Sequence, residues 1–151
     1  MKTEISGDLD GCMEGLSEGV QYHIYAPYPA EPTVLVTGKA AVRSRYESNL
    51  KSGTVTEHVI DVVVVDDDHV VTGGVLRRAV PGHQLEQRGI GGIDDPDARY
   101  LYEARVCVVW PFDNEGKILG ENAYFAADGY LGIVDRKIPS TAERDVRSSA
   151  P

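Results

Sequence analysis

Two phenols, an amide, an imidazole and a carboxylate stand where their types could do acid/base work: Tyr22, Tyr124, Asn122, His23 and Asp128. Tyr22 and Tyr124 can donate hydrogen bonds to a carbonyl or enolate oxygen, and Asn122 can orient a water or a substrate oxygen. If the inner face of a sheet takes the even positions of the first strand, Tyr22 and Ile24 line it. The same alternation is expected to bring Asn122 and Tyr124 to that face from the last strand. Trp110, with Val106 and Val108, would form an apolar wall, and Tyr46 would approach from a helix. Such a site has the usual make-up of an apolar lining with a few polar groups.

His23 is an acid/base candidate because imidazole is the side chain suited to proton transfer at neutral pH. Alternation sets it opposite Tyr22, a position that suits a structural role or a subunit contact. Asp128 can act as a base if the chain turns back over the site, but a turn carboxylate beside Gly129 is the preferred reading. Buried tyrosines and tryptophans whose polar tips are satisfied would give the same pattern with no chemistry at all.

Other groupings carry less. His58 lies between Glu57 and Val59 on a strand whose facing is ambiguous. Asp66, Asp67, Asp68 and His69 have the composition of a metal cluster but match no zinc or calcium spacing, so they read as a solvated turn and no metal is expected. Gly89, Gly91 and Gly92 neither follow a strand nor open a helix, so they form no dinucleotide or phosphate loop, and no cofactor is expected. Cys12 and Cys107 lie far apart in unlike contexts; a disulfide is open to them, but two reduced core thiols of a cytoplasmic protein are the preferred reading.

The elements that must position these residues centre on Tyr100–Ala126, two apolar-rich runs joined by Asp113-Asn114-Glu115-Gly116. Val, Tyr and Trp fit a pleated, half-buried surface, and Gly116 suits a tight connection, so a long antiparallel hairpin is predicted. Upstream, Ile5, Leu9, Cys12, Met13 and Leu16 share one face at helical spacing, interrupted by glycines. A strand covers Val20 to Ala26, and the prolines from Pro27 to Pro32 force an extended loop. A helix from Gly38 to Leu50, with Thr37 as cap, buries Val42, Tyr46 and Leu50 and turns Lys39, Arg43 and Glu47 outward. Thr54 to Val65 is a strand whose end, Val62 to Val65, has no polar face and is expected to be covered on both sides. Val70 to Ala79 returns as the next strand, with a bulge or bend at Gly73 and Gly74. Val80 to Arg99 reads as a long connection, and Asp128 to Val134 as a turn and a short terminal segment.

The chain has 151 residues, 42% of them hydrophobic and 26% charged, which suits a globular domain with a real core. A net charge of −9 argues against nucleic acid as a partner, because phosphate binding needs a basic footprint. No apolar run is long enough to span a bilayer, and the first residues lack the pattern of a secretory signal.

The order helix, strand, helix and meander resembles the cone fold of the nuclear transport factor 2-like (NTF2-like) superfamily, which includes ketosteroid isomerases, limonene-epoxide hydrolases, scytalone dehydratases and the SnoaL-like polyketide cyclases. Three patches carry the likeness. Gly7 to Pro27, with Val20-Gln21-Tyr22-His23, resembles the family's helix and strand ending before a proline. Gly38-Lys39-Ala40-Ala41-Val42-Arg43-Ser44-Arg45-Tyr46 is similar to its second helix, with one of an aromatic pair replaced by Arg45. Phe112 to Ile118, followed by Tyr124-Phe125, resembles its closing hairpin.

The resemblance implies an α+β, cystatin-like cone: short N-terminal helices packed on a strongly curved antiparallel sheet. Residues 1–138 would form one cone domain and 139–151 a polar, flexible tail. It further implies a cofactor-free enzyme (isomerase, cyclase, dehydratase or hydrolase) acting on a hydrophobic oxygenated small molecule, and a homodimer through the open sheet face. The alternative is a non-catalytic binding or accessory module. Ala26, Val108 and Ala126 stand where family members carry catalytic carboxyl groups, which argues against steroid-isomerase chemistry and weakens the cyclase reading.

Overall fold

The computed structural model describes residues 8–25, 34–51 and 55–139. In chain order these form α1 (Leu9–Glu14), β1 (Leu16–Tyr25), β2 (Val34–Thr37), α2 (Lys39–Lys51), β3 (Val55–Val65), β4 (His69–Pro81), α3 (Gly82–Gln87), β5 (Arg99–Pro111), β6 (Ile118–Phe125) and a 3-10 turn, Ile133–Asp135. The helix α1 is short, as its glycines require, and Asp8 caps it by accepting from the Gly11 amide at 2.9 Å.

The strands make one sheet in the order β2-β1-β6-β5-β4-β3. All neighbours are antiparallel except β1 and β6, which run parallel. The sheet is therefore mixed, curved and open rather than closed into a barrel. The expected hairpin is β5–β6. Its turn is fixed by the Asp113 carboxylate, which accepts from the Glu115 and Lys117 amides at 2.9 and 2.8 Å, and by Gly116 at φ 76°. The bend expected near Gly73 and Gly74 is present as a slip in the facing strand, between Ile60 and Val62. A side chain at Gly74 would run into the Val59 backbone, so only glycine lets β3 close on β4 there.

Parity sorts the sheet into two faces. On β5, Tyr100, Tyr102, Ala104, Val106 and Val108 are buried, while Glu103, Arg105 and Cys107 are exposed. The buried side is the inner face. Two apolar clusters sit on it: one around Tyr100, Tyr102, Leu76 and Leu85, the other around Val20, Tyr22 and Val42 beneath α2.

Four expectations are corrected here. Val62 to Val65 are not covered on both sides: they are 49%, 59%, 58% and 69% exposed, because β3 is the edge strand. The Val80–Arg99 connection is not an open loop. It contains α3, whose Leu85 is wholly buried, and Ile90 and Ile93 fold back onto the same core. Leu16 begins a strand rather than ending a helix, and Val34–Thr37 pairs with β1 although no strand was expected there. The expectations for Ile5, Ala26, the Pro27–Pro32 stretch and the tail after Pro139 lie outside the described residues, as does the Leu50 side chain.

Candidate functional site

The site is set by the register of β1 on β6. Tyr22 lies opposite Glu121, and Ile24 opposite Ala123; Ala123 in turn pairs with Val108, and Phe125 with Val106. Hence Tyr22, Ile24, Val106, Val108 and Trp110 share the inner face, as the sequence suggested. From above, α2 lowers Tyr46 onto it, and the Tyr22 and Tyr46 hydroxyls are 2.9 Å apart in a hydrogen bond. The Trp110 indole N–H donates to Thr72 Oγ1 at 3.0 Å, which satisfies a buried hydroxyl and fixes the ring in the wall.

Asn122 and Tyr124 do not converge on Tyr22. Their cross-strand partners are His23 and Tyr25, so they belong to the outer face. The physical reason is phase. The odd positions of β6 carry Ala123 and Phe125, and burying these sends the even positions out. His23 is on that outer face, as alternation indicated. There His23, Tyr25 and Tyr124 form a column of rings, with Tyr25 and Tyr124 stacked at 4.7 Å between centroids. Asp128 is exposed on a turn that does fold back: a side chain at Gly129 would run into the Tyr102 ring.

The same phase delivers groups that were not singled out from the sequence. Glu121 faces inward beside Tyr22. Arg78 pairs with Tyr102 on the inner face, and its guanidinium carbon lies 5.9 Å from the centroids of both the Tyr102 and Phe125 rings. Arg45 is half-buried on α2, three residues after the buried Val42. Burial pulls the Arg45 guanidinium below the usual arginine value; Glu121 opposes that fall and Arg78 adds to it. Burial likewise raises the Tyr102 phenol, while Arg78 pulls it back and Tyr130 and Asp128 push it further up.

Signals for these groups were present. Arg45 sits at the three-residue step of the apolar stripe and replaces an aromatic in the family-like helix. Arg78 interrupts an otherwise uncharged run of even positions on β4. On β6, Glu121 shares the phase of the apolar Ala123 and Phe125.

Among the described residues no group of three or more His, Cys, Asp or Glu could hold a metal ion. No described helix is long and apolar enough to cross a membrane.

A scan against protein-family models and a search of curated proteins return no match. Solved structures do match. An NTF2-like protein of unknown function from Burkholderia pseudomallei is 14% identical over 88% of this chain and 89% of its own, with a TM-score of 0.63. A Catenulispora acidiphila protein with a ketosteroid isomerase-like fold, in complex with trimethylamine, is 12% identical over 92% and 89%, with a TM-score of 0.65. The chain has the NTF2-like cone fold. An epoxide hydrolase of the LEH-like type from M. tuberculosis matches the cone as well, 14% identical over 97% of this chain and 89% of its own, with a TM-score of 0.60. Identities this low establish the architecture of the cone and leave its reaction to be argued from the side chains.

Proposed function

We propose that the inner face of the cone holds an oxygenated small molecule with an apolar body, and that Glu121 moves a proton on it without a cofactor. The observation that carries this reading is the placement of Glu121 directly opposite Tyr22, with Tyr46 hydrogen-bonded to Tyr22. A carboxylate gives or takes the proton, and the phenol pair donates to the oxygen on which charge develops. Ile24, Val106, Val108 and Trp110 supply the apolar contact. Isomerisation, cyclisation, dehydration and water addition are the reactions such a set performs. The likeness to an epoxide hydrolase and to a ketosteroid isomerase-like fold supports that range. Asn122, Tyr124 and His23 take no part in this scheme. On the outer face Tyr124, Tyr25 and Leu35 are exposed beside the half-buried His23 and Asn122, and the same reading sets a second copy of the chain there.

The test begins with mass spectrometry of the ligand that co-purifies with the protein. Turnover of that ligand should fall by about a hundredfold or more in Glu121→Gln, the usual range for a lost general acid or base. Turnover unchanged in that variant removes Glu121 from the mechanism. A second reading, a binding module without catalysis, is favoured by one observation: the Tyr22 and Tyr46 hydroxyls bond to each other above a floor of hydrocarbon. A tightly held ligand that the wild-type protein leaves chemically unaltered would decide for it.

A further inference from the structure

Arg45 and Arg78 are not explained by proton transfer. Each is half-buried, and among the described residues neither makes a hydrogen bond or an ion pair. A guanidinium carries five N–H donors, and leaving them unpaired away from bulk water is costly. The Arg78 guanidinium carbon lies 5.9 Å from the centroids of both the Tyr102 and Phe125 rings, neighbours that take none of its N–H donors in a hydrogen bond. Arg45 is close enough to both Arg78 and Glu121 to feel their charges. The inner face thus carries two positive charges and one negative one from these three groups, over an apolar floor of Val106, Val108 and Ala123.

We infer that the ligand of the cone carries a carboxylate, bound by Arg45 and Arg78, at one end of an apolar body. The inference rests on the inner face being the ligand site, and it deepens that reading by naming the ligand class. A planar carboxylate matches the fork of a guanidinium. Each guanidinium can offer two parallel N–H donors to the two oxygens of one carboxylate. The apolar floor takes the rest of the molecule.

The probes are octanoate, its neutral counterpart octanamide, and octyl phosphate. The single tryptophan of the chain, Trp110, stands in the wall and reports binding by fluorescence. Octanoate is expected to bind at least tenfold more tightly than octanamide. Arg78→Met and Arg45→Met should each weaken octanoate about tenfold or more and leave octanamide unchanged. Arg77→Met, one residue away on the outer face, should change neither. Arg78→Lys keeps the charge and serves if the Met variant fails to fold; it should retain part of the preference.

Octanoate binding no tighter than octanamide, octyl phosphate binding tighter than octanoate, or a preference untouched by both arginine variants would each overturn the assignment. Glu121→Gln separates this inference from the proton-transfer reading. A carboxylate preference kept in that variant, together with full turnover, sinks proton transfer by Glu121 and leaves the carboxylate site standing. Turnover lost in that variant, with no carboxylate preference in the wild type, does the reverse.

Discussion

Arg77 and Arg78 are neighbours on one strand and have opposite surroundings. Arg77 turns to the outer face, where its Nε donates to Glu103 at 2.6 Å and its Nη1 to Glu57 at 3.3 Å, so one guanidinium ties three adjacent strands. Two residues along β5, Arg105 is paired with Asp61 in the same manner. Arg78 turns inward, lies against two rings and meets no carboxylate among the described residues. The outer face of β3–β5 thus pairs its charges locally, while Arg78 on the inner face has no such partner among the described residues. A surface selected only for stability would pair or remove half-buried charges. On the reading proposed above, the unpaired inner arginines are there to hold a ligand.

The widest gap between the two environments should appear on truncation. Leu76→Ala removes a side chain that is 7% exposed and packed in the larger inner cluster; it should cost about 2–5 kcal/mol in chemical denaturation. Val64→Ala, at 58% exposure on the edge strand, should change stability by no more than about 0.5 kcal/mol. A loss at Val64 comparable to that at Leu76 would mean that the edge is covered in solution, and the contrast of faces would have to be redrawn.

A smaller effect, of opposite sign, is expected at the inner arginines. Arg45→Met removes a charge that burial disfavours and keeps the apolar stem, so the ligand-free protein should become slightly more stable. After allowance for solvent screening the gain is under about 1 kcal/mol, a rise in melting temperature of about 2 °C. Octanoate should then raise the melting temperature of the wild type more than that of the variant. A variant less stable than the wild type without ligand would show that Arg45 is a structural residue.

How much of this was legible in the sequence depends on which physical signal each part left. The hairpin turn at Asp113–Gly116 and the tyrosine on β1 could be read because turn chemistry and strand alternation are local. The facing of β6 could not be settled by alternation within β6 alone. It depends on the register with both partners: β1, far away in sequence and parallel, and β5, where the pairing slips by one residue between Phe112↔Ile118 and Val109↔Asn122. A one-residue error in phase exchanged Asn122 and Tyr124 for Glu121, since a slip of one sends every side chain to the other face. The valines of β3 misled for a related reason. A continuous apolar run suits a strand buried on both sides, but whether it lies at the centre or the edge is decided by strand order.

The smallest expected effect concerns His58, which faces inward opposite Leu76 at the edge of the sheet. Its Nε2 is buried without a hydrogen-bond partner, and burial holds the imidazole below its usual value. The sign follows from linkage. The unfolded chain takes up a proton on this ring as the pH falls through about 6.5, whereas the folded ring resists protonation until a lower pH. The contribution of a neutral His58 is therefore complete above the unfolded value and is lost progressively as the pH falls towards the folded one. The carboxylates Asp61, Asp94 and Asp95 are held below the usual range by Arg105, Tyr100 and Lys137, so their contribution is lost only on further acidification, below about pH 4. The two windows are separate, and denaturation midpoints measured between pH 7 and about pH 5 should decline in the wild type and decline less in His58→Gln. Parallel profiles for the two proteins would show that the ring is solvated, and the inner face would then end at β4 rather than reach the edge strand.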